Sequence, residues 1–509
     1  MRSNTLTTLA GAVACSATSV TIPASVPAGA IRVDPSFPGT SFELSTFSLY
    51  AQTSPTDASP NQYSINLIKE VFKRTGARPL LRVGGDTADS VAWDSSLTQP
   101  ISPAPGTSQT GPLTIGPQFW GLTQLLAPTN ALWMPQISYT DTNYVHAEEI
   151  AESIRTSIGS ENIGAIEIGN EPNEYGGHTG PSATDAQYFA TRFQEIAANV
   201  TRAGSFPGGA MYAGPDLASY DHRSTDWTPQ DLFQNTDFDA TGNIKYATDH
   251  WYRCLGAVCN LAHIIAHGNT VIDTGKHIEA NAAFFNTYKN GDVKYFLNEI
   301  NIQSGGTGSQ AFSYSFATAL YGADFMMYLM SLGVAGVNWE QVYSSNQNVW
   351  QPSTSPTMPA QTKNVYYALI TAAEFIGTSG ATRMVELVPG GNDGLNFSSY
   401  VAFDNDRPAR VALCNLNYWD VSDGTTRPSF LVEVDGVPST STSVTVKYLT
   451  NSGGAAQNAD HTTFGGSQWP YSSLGAEVTG VQSTTIQVPV QNGKAQVPVD
   501  HSAIAIVYL

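Results

Sequence analysis

Between Phe37 and Gly377 short apolar runs alternate with segments of helical spacing, and this alternation constrains the fold of the 509-residue chain more than any other feature. The runs TSFELST, PLLRVGG, MPQISYT, AIEIGNE, AMYAGPD, YATDHWY, KYFLNEI and GVNWEQV each read as a strand. Several are separated by stretches, such as Ala147 to Ser157, Ala183 to Ala203 and Ala311 to Leu332, whose apolar positions recur as in an amphipathic helix. Eight such units predict an α/β fold, a (β/α)8 TIM barrel, with chemistry at the C-terminal strand ends. Polar residues gather at those ends: Glu43, Arg82, Asp86, Asn170, Glu171, Asp216, His250, Tyr252, Glu299 and Glu340.

Beyond Gly377 the pattern changes. FSSYVAF, ARVALCNL, SFLVEVDG, STSVTVKYL, TTIQVPV and AIAIVYL are rich in β-branched residues and carry no long helical period. In QNGKA (Gln491 to Ala495) an Asn-Gly pair lies between two QVPV runs and signals a hairpin. These features predict a C-terminal antiparallel β-sandwich domain. SVTIPAS, ahead of the first barrel strand, also has strand character, so the expected division is a barrel over 36–378 and a sandwich built from 18–35 and 379–509.

The start, MRSNTLTTLAGAVACSATS, has an early Arg2, an apolar stretch from Leu6 to Ala14 and small residues near Ser16, and reads as a signal peptide over 1–17 of a secreted, extracellular protein. No later run approaches the ~18 apolar residues of a membrane span, so no membrane association is expected. In an exported chain Cys254 and Cys259, in YRCLGAVCN, are placed to close a short disulfide. Zinc would need further ligands; His263 and His267 follow, but no metal and no cofactor are expected. Cys414 reads as a small buried thiol, and Asn199 and Asn396 head sequons compatible with N-glycosylation. A net charge of −19, with only 23 Lys plus Arg, opposes nucleic acid or another polyanion as partner. A monomer is expected.

Three glutamates crowd AIEIGNEPNEY. Strand alternation puts Glu167, Gly169 and Glu171 on one face, with Glu167 deeper and Glu171 at the rim before Pro172. Burying a charge is costly unless it is paired, so Glu167 is expected to be support for a partner such as Arg82, and Glu174 a loop residue. Glu299, in KYFLNEINIQSGG, ends another strand. Two carboxyls converging on one barrel mouth are what glycoside hydrolysis needs, one to protonate the leaving oxygen and one to attack carbon or activate water.

The triplet Asn170-Glu171-Pro172 after the fourth strand, with a glutamate on the seventh, resembles clan A of the retaining glycoside hydrolases. LRVGGDTAD, AIEIGNEPNEY and FLNEINIQSGG, with the trailing sandwich, resemble more narrowly glycoside hydrolase family 79, which contains β-glucuronidases and heparanases. The resemblance implies that Glu171 is the acid/base and Glu299 the nucleophile. It further implies that Arg82 and Tyr252 keep Glu299 ionised, that Asn170 binds the sugar 2-hydroxyl, and that Glu43 binds sugar hydroxyls. A uronate carboxylate would be met by backbone N–H groups of Ser304, Gly305 and Gly306 and by the Tyr343 hydroxyl; His250 is divided between a barrel hydrogen bond and a substrate contact. One departure stands out: Asn298 occupies the position before the nucleophile, where Gly or Ser is expected. Without basic runs for a sulfated polyanion, the expected activity is a retaining, exo-acting β-glucuronidase on terminal β-D-glucuronic acid or its 4-O-methyl form. The alternatives are another clan A activity, a β-1,6-galactanase or an arabinofuranosidase, or a non-catalytic carbohydrate-binding protein.

Overall fold

The computed structural model describes residues 18–54, 56–104, 113–140, 144–174, 185–218, 227–254, 259–275, 277–303, 310–387 and 396–509. The eight expected runs pair into a closed barrel: β1 (Pro38–Glu43), β2 (Leu80–Gly84), β3 (Leu132–Ile137), β4 (Ile166–Ile168), β5 (Tyr212–Leu217), β6 (Ile244–Cys254), β7 (Lys294–Gln303) and β8 (Val337–Gln341). Every neighbouring pair is parallel, and β8 closes onto β1. Helices outside and side-chain layers inside bury both faces of such strands, which accounts for their nearly continuous apolar sequence.

The helices follow the expected spacing, with one difference of kind. Helix α1 (Val145–Ile158) and helix α2 (Ala186–Ala203) each bury one stripe, and the Asp185 side chain caps α2 by accepting from the Tyr188 N–H. Helix α3 (Ala317–Leu332) is not amphipathic: it is buried on all sides. It also starts later than its periodicity suggests. The Phe316 and Ala317 N–H groups donate to the carbonyls of Gln457 and Ala455, so the second domain supplies the partners of its first turn.

Eleven further strands make one sheet folded over a second core that includes Val20, Val401, Val432 and Val497. Both chain ends build it: Thr18–Thr21 pairs with Ser429–Asp435, and Ile31–Arg32 with Thr382–Leu387. The sheet is antiparallel except for the first of these pairs, which is parallel. Asn492 and Gly493 both have positive φ, as a two-residue type I′ hairpin turn requires, between Thr485–Gln491 and Lys494–Asp500. Cys414 is buried in Arg407–Asn415, and Cys254, the last residue of β6, is disulfide-bonded to Cys259. Asn199 lies half-buried within α2, where Arg202 donates to its amide oxygen, and Asn396 lies just before the strand Phe397–Asp404. No helix among the described residues is long and apolar enough to cross a membrane. Residues 1–17 lie outside those described.

A buried charge cluster joins the domains. His267 Nδ1 is 2.9 Å from Asp324 of α3 and Nε2 is 3.1 Å from Glu386 of the sandwich strand Thr382–Leu387, while the Tyr400 hydroxyl donates to Asp324. Burial lowers the proton affinity of His267, but Asp324 and Glu386 outweigh it and carry the pKa up to about 10. A raised folded-state pKa gives stability that is complete below the unfolded value of ~6.5 and lost as pH rises toward the folded one. His267→Gln should therefore cost about 3 kcal/mol at pH 6, because it breaks the buried His267–Asp324 pair from one side. The gap between wild type and variant should narrow from about pH 6.5 to about 10 in unfolding titrations.

Candidate active site

Arg82 organises the barrel mouth. It projects from β2, is fully buried, and spends its donors on five acceptor side chains. Nε and Nη2 grip Glu167 of β4 at 2.7 and 2.6 Å; Nη1 reaches Glu299 Oε2 at 2.6 Å and Ser41 Oγ at 3.0 Å; Nη2 also reaches Asn170 Oδ1 at 2.7 Å and Gln136 Oε1 at 3.3 Å. Burial pushes the Glu167 carboxyl above its ordinary range and Arg82 pulls it back; the two-point contact is that of an ion pair. A planar fork suits this task because it binds two carboxylates at fixed angles.

Glu299 is presented by an irregularity in β7. The pairing passes from Asp249↔Leu297 to His250↔Glu299, leaving Asn298 as an extra residue. Such a bulge breaks strict alternation and re-aims side chains. Asn298 then donates to Glu167 Oε2 at 2.9 Å and accepts from Asn338 at 2.9 Å, which explains the unusual Asn at this position. Glu299 receives Arg82 on one oxygen and the Tyr252 hydroxyl on the other. Burial would raise its pKa, but the charges of His250 and Arg82 and the donors Tyr252 and Arg82 bring it below the ordinary carboxylate value. The result is an ionised carboxylate that is largely buried.

Glu171 reaches the mouth by a different route from the expected strand alternation. β4 ends at Ile168; Gly169 and Glu171 both have positive φ (81° and 49°), and a 3-10 turn follows at Pro172–Glu174. The Glu171 N–H donates to the Asp216 carbonyl at 2.8 Å, and His250 Nδ1 lies 2.9 Å from Glu171 Oε1. One carboxylate oxygen of Glu171 and one of Glu299 stand within 4.8 Å of each other. Asn170 is fixed from three sides: Arg82 donates to its Oδ1, its amide donates to Asp86 Oδ1 at 2.9 Å and its N–H to Asp89 at 2.9 Å.

His250 has a wholly buried side chain that lies against Glu171. Burial lowers its proton affinity, yet Glu299, Asp216 and Glu171 raise its pKa well above the ordinary value. Glu43, at the end of β1, accepts from Thr87 and is pushed up to about 8, chiefly by burial with Asp86 and Glu299 adding to it. Gly85 closes over it at φ 94°, where a Cβ would stand 2.1 Å from the Glu43 carboxylate. Asp86, exposed at the rim, is pushed up to about 6 by desolvation of its inward-facing carboxyl and by Glu171 and Glu299. Tyr343 is half-buried, its hydroxyl 3.3 Å from Ser353 Oγ. Ser304, Gly305 and Gly306 lie outside the described residues.

Sequence reasoning missed Gln136, Asp89 and Thr87 and gave Asn298 no role; all four are polar groups that face Arg82, Glu167, Asn170 or Glu43. Their common signal was a polar residue in or beside an apolar strand. Glu171, His250 and Glu299 also have the spacing of a cation site. Both Glu299 oxygens, however, already accept from Arg82 and Tyr252, and a second cation there would oppose the Arg82 charge.

Residues 399–506 match the glycosyl hydrolase family 79 C-terminal beta domain. Two curated proteins named beta-glucuronidase are similar over most of the chain. That of Aspergillus niger is 24% identical over 426 residues, covering 79% of this chain and 75% of that protein. That of Neurospora crassa is 24% identical over 416 residues, covering 75% and 72%. Among solved structures, a 4-O-alpha-L-rhamnosyl-beta-D-glucuronidase from Fusarium oxysporum aligns with a TM-score of 0.79 at 19% identity, over 96% of this chain and 100% of that one. A family 51 arabinofuranosidase from Xanthomonas axonopodis aligns with 0.62 at 15% identity, over 97% and 99%. These structural likenesses show a shared barrel-and-sheet fold.

Proposed function

From the family 79 domain at residues 399–506 and the similarity to two β-glucuronidases, we propose that the protein is a retaining β-glucuronidase. It releases terminal β-D-glucuronic acid, or its 4-O-methyl form, from glycans or small glucuronides. The observation that carries the mechanism is the approach of Glu171 and Glu299 to within 4.8 Å. Retaining enzymes place their carboxyls about 5 to 5.5 Å apart and inverting ones about 6.5 to 9.5 Å, leaving room for a water.

Glu299, ionised by Arg82 and Tyr252, attacks the anomeric carbon as the Glu171 proton passes to the leaving oxygen. Water, deprotonated by Glu171, then releases the glycosyl group from Glu299 with a second inversion. Asn170, held by Arg82 and Asp86, bonds the 2-hydroxyl, a contact that strengthens as the oxocarbenium-like transition state forms. Glu43, whose carboxyl keeps its proton up to about pH 8, can both donate to and accept from sugar hydroxyls. Arg82 is committed to protein acceptors, which leaves the Tyr343 hydroxyl as the donor for the substrate carboxylate among the described residues singled out in the sequence. The Cys254–Cys259 disulfide and the 1–17 segment support export, and glycosylation at Asn396 fits its place outside a helix.

An aryl β-glucuronide should be cleaved at least about a hundredfold faster, in kcat/KM, than the matching galactoside or arabinofuranoside. NMR of the first-formed sugar should show the β-anomer. No glucuronide turnover would overturn the substrate assignment, and the α-anomer would overturn retention.

A further inference from the structure

Asp216, at the end of β5, is fully buried and has a left-handed backbone at φ 55°. Among the described residues neither carboxylate oxygen makes a hydrogen bond, although the Asp216 N–H donates to Thr248 Oγ1 at 3.2 Å. Asp89 offers the contrast of a structural acid, since its oxygens accept the N–H groups of Asn170 and Tyr139 and the Gln136 amide. What Asp216 faces is an imidazole: Oδ1 stands 3.4 Å from His250 Nε2, and Nδ1 of the same ring is 2.9 Å from Glu171 Oε1. The Asp216 carbonyl meanwhile accepts the Glu171 N–H at 2.8 Å. One residue therefore holds the Glu171 main chain directly and its side chain through one ring.

We propose that Asp216 is a positioning residue for proton transfer: its carboxylate holds His250 oriented and charged so that His250 stabilises Glu171 as Glu171 gives up its proton. The proposal rests on the acid/base reading of Glu171. In the first chemical step the Glu171 O–H bond breaks, its proton joins the glycosidic oxygen, the bond from that oxygen to the anomeric carbon breaks, and a Glu299 oxygen bonds that carbon. Glu171 is left as a carboxylate beside the imidazolium, and the opposite charge of Asp216 keeps that wholly buried imidazolium protonated. The gain applies only where the leaving oxygen needs the proton. A phenyl leaving group needs it more than a dinitrophenyl group, which departs as a stable anion.

The test compares kcat/KM, which reports this first step, for phenyl and dinitrophenyl glycosides of the sugar that the wild type cleaves. Asp216→Asn suits it, because Asn tolerates the left-handed backbone and keeps the shape while removing the charge. The phenyl rate should fall about ten- to hundredfold and the dinitrophenyl rate less than about threefold. Asp216→Glu, restoring the charge, should recover part of the phenyl rate. If Asp216→Asn does not fold, Asp216→Gly, which also accepts positive φ, carries the same comparison. Equal losses on both substrates, or no loss on either, would overturn the proposal. Absence of glucuronide turnover by the wild type would instead refute the substrate class alone, and the comparison then runs on the aryl galactoside or arabinofuranoside that is cleaved.

Discussion

Glu299→Ala should lose at least about 10⁴-fold in kcat on an aryl glucuronide while remaining folded. The carboxylate sits in a pre-formed set of donors from Arg82 and Tyr252, and nothing else in that set can bond the anomeric carbon. Removing it leaves a gap on the face of the sugar opposite the leaving group. Azide added to the variant should enter that gap and restore part of the rate with an activated aryl substrate, and the product should be the α-glucuronosyl azide, formed by a single inversion. Unchanged activity in the variant, or a β-azide product, would remove Glu299 from the nucleophile role. A β-azide is instead the outcome expected for Glu171→Ala, whose gap lies on the other face.

Arg82→Met should be the most damaging single change to the barrel. It leaves Glu167 buried with one amide donor, from Asn298, and takes from Glu299 the cation that donates to Oε2. Breaking a buried ion pair from one side costs about 3 to 5 kcal/mol, so denaturant unfolding should shift by that much. Activity should fall further than stability suggests. The Glu299 pKa lies below its ordinary value partly through the Arg82 charge; without that charge it rises, and the nucleophile is ionised only at higher pH. The acid limb of kcat/KM against pH should therefore move to higher pH in the activity that Arg82→Met retains, and by less in Arg82→Lys. Lysine keeps a charge but not the fork that serves Glu167, Glu299 and Asn170 together. An unmoved acid limb would show that Arg82 is structural only.

The eight strands were legible because a parallel strand buried on both faces must be apolar along its length, and the polar residue that ends it then stands out. The C-terminal sheet was legible for a related reason, in β-branched runs broken by turn signals such as Asn492-Gly493. The pairing of Glu167 with Arg82 followed from the cost of an unpaired buried charge. Helix α3 misled, since its repeated apolar positions fit one buried stripe, whereas both domains pack around it and bury it entirely.

Within the site, residue types were readable and their roles were not. Glu171 stood out in the sequence as the outward end of an alternating strand, but the strand stops at Ile168 and two left-handed residues place the carboxyl. Asn298 looked like a departure from a pattern; a bulge makes it a ligand of Glu167. His250 was divided between barrel and substrate in the sequence, and its burial against Glu171 became visible only in the fold. Sequence alone determined which carboxyls the barrel mouth carries, because burial and periodicity are local rules written along the chain. Only tertiary structure decided which of them is ionised, since charge state depends on Arg82, Asp216, His250 and Tyr252 arriving from three different strands.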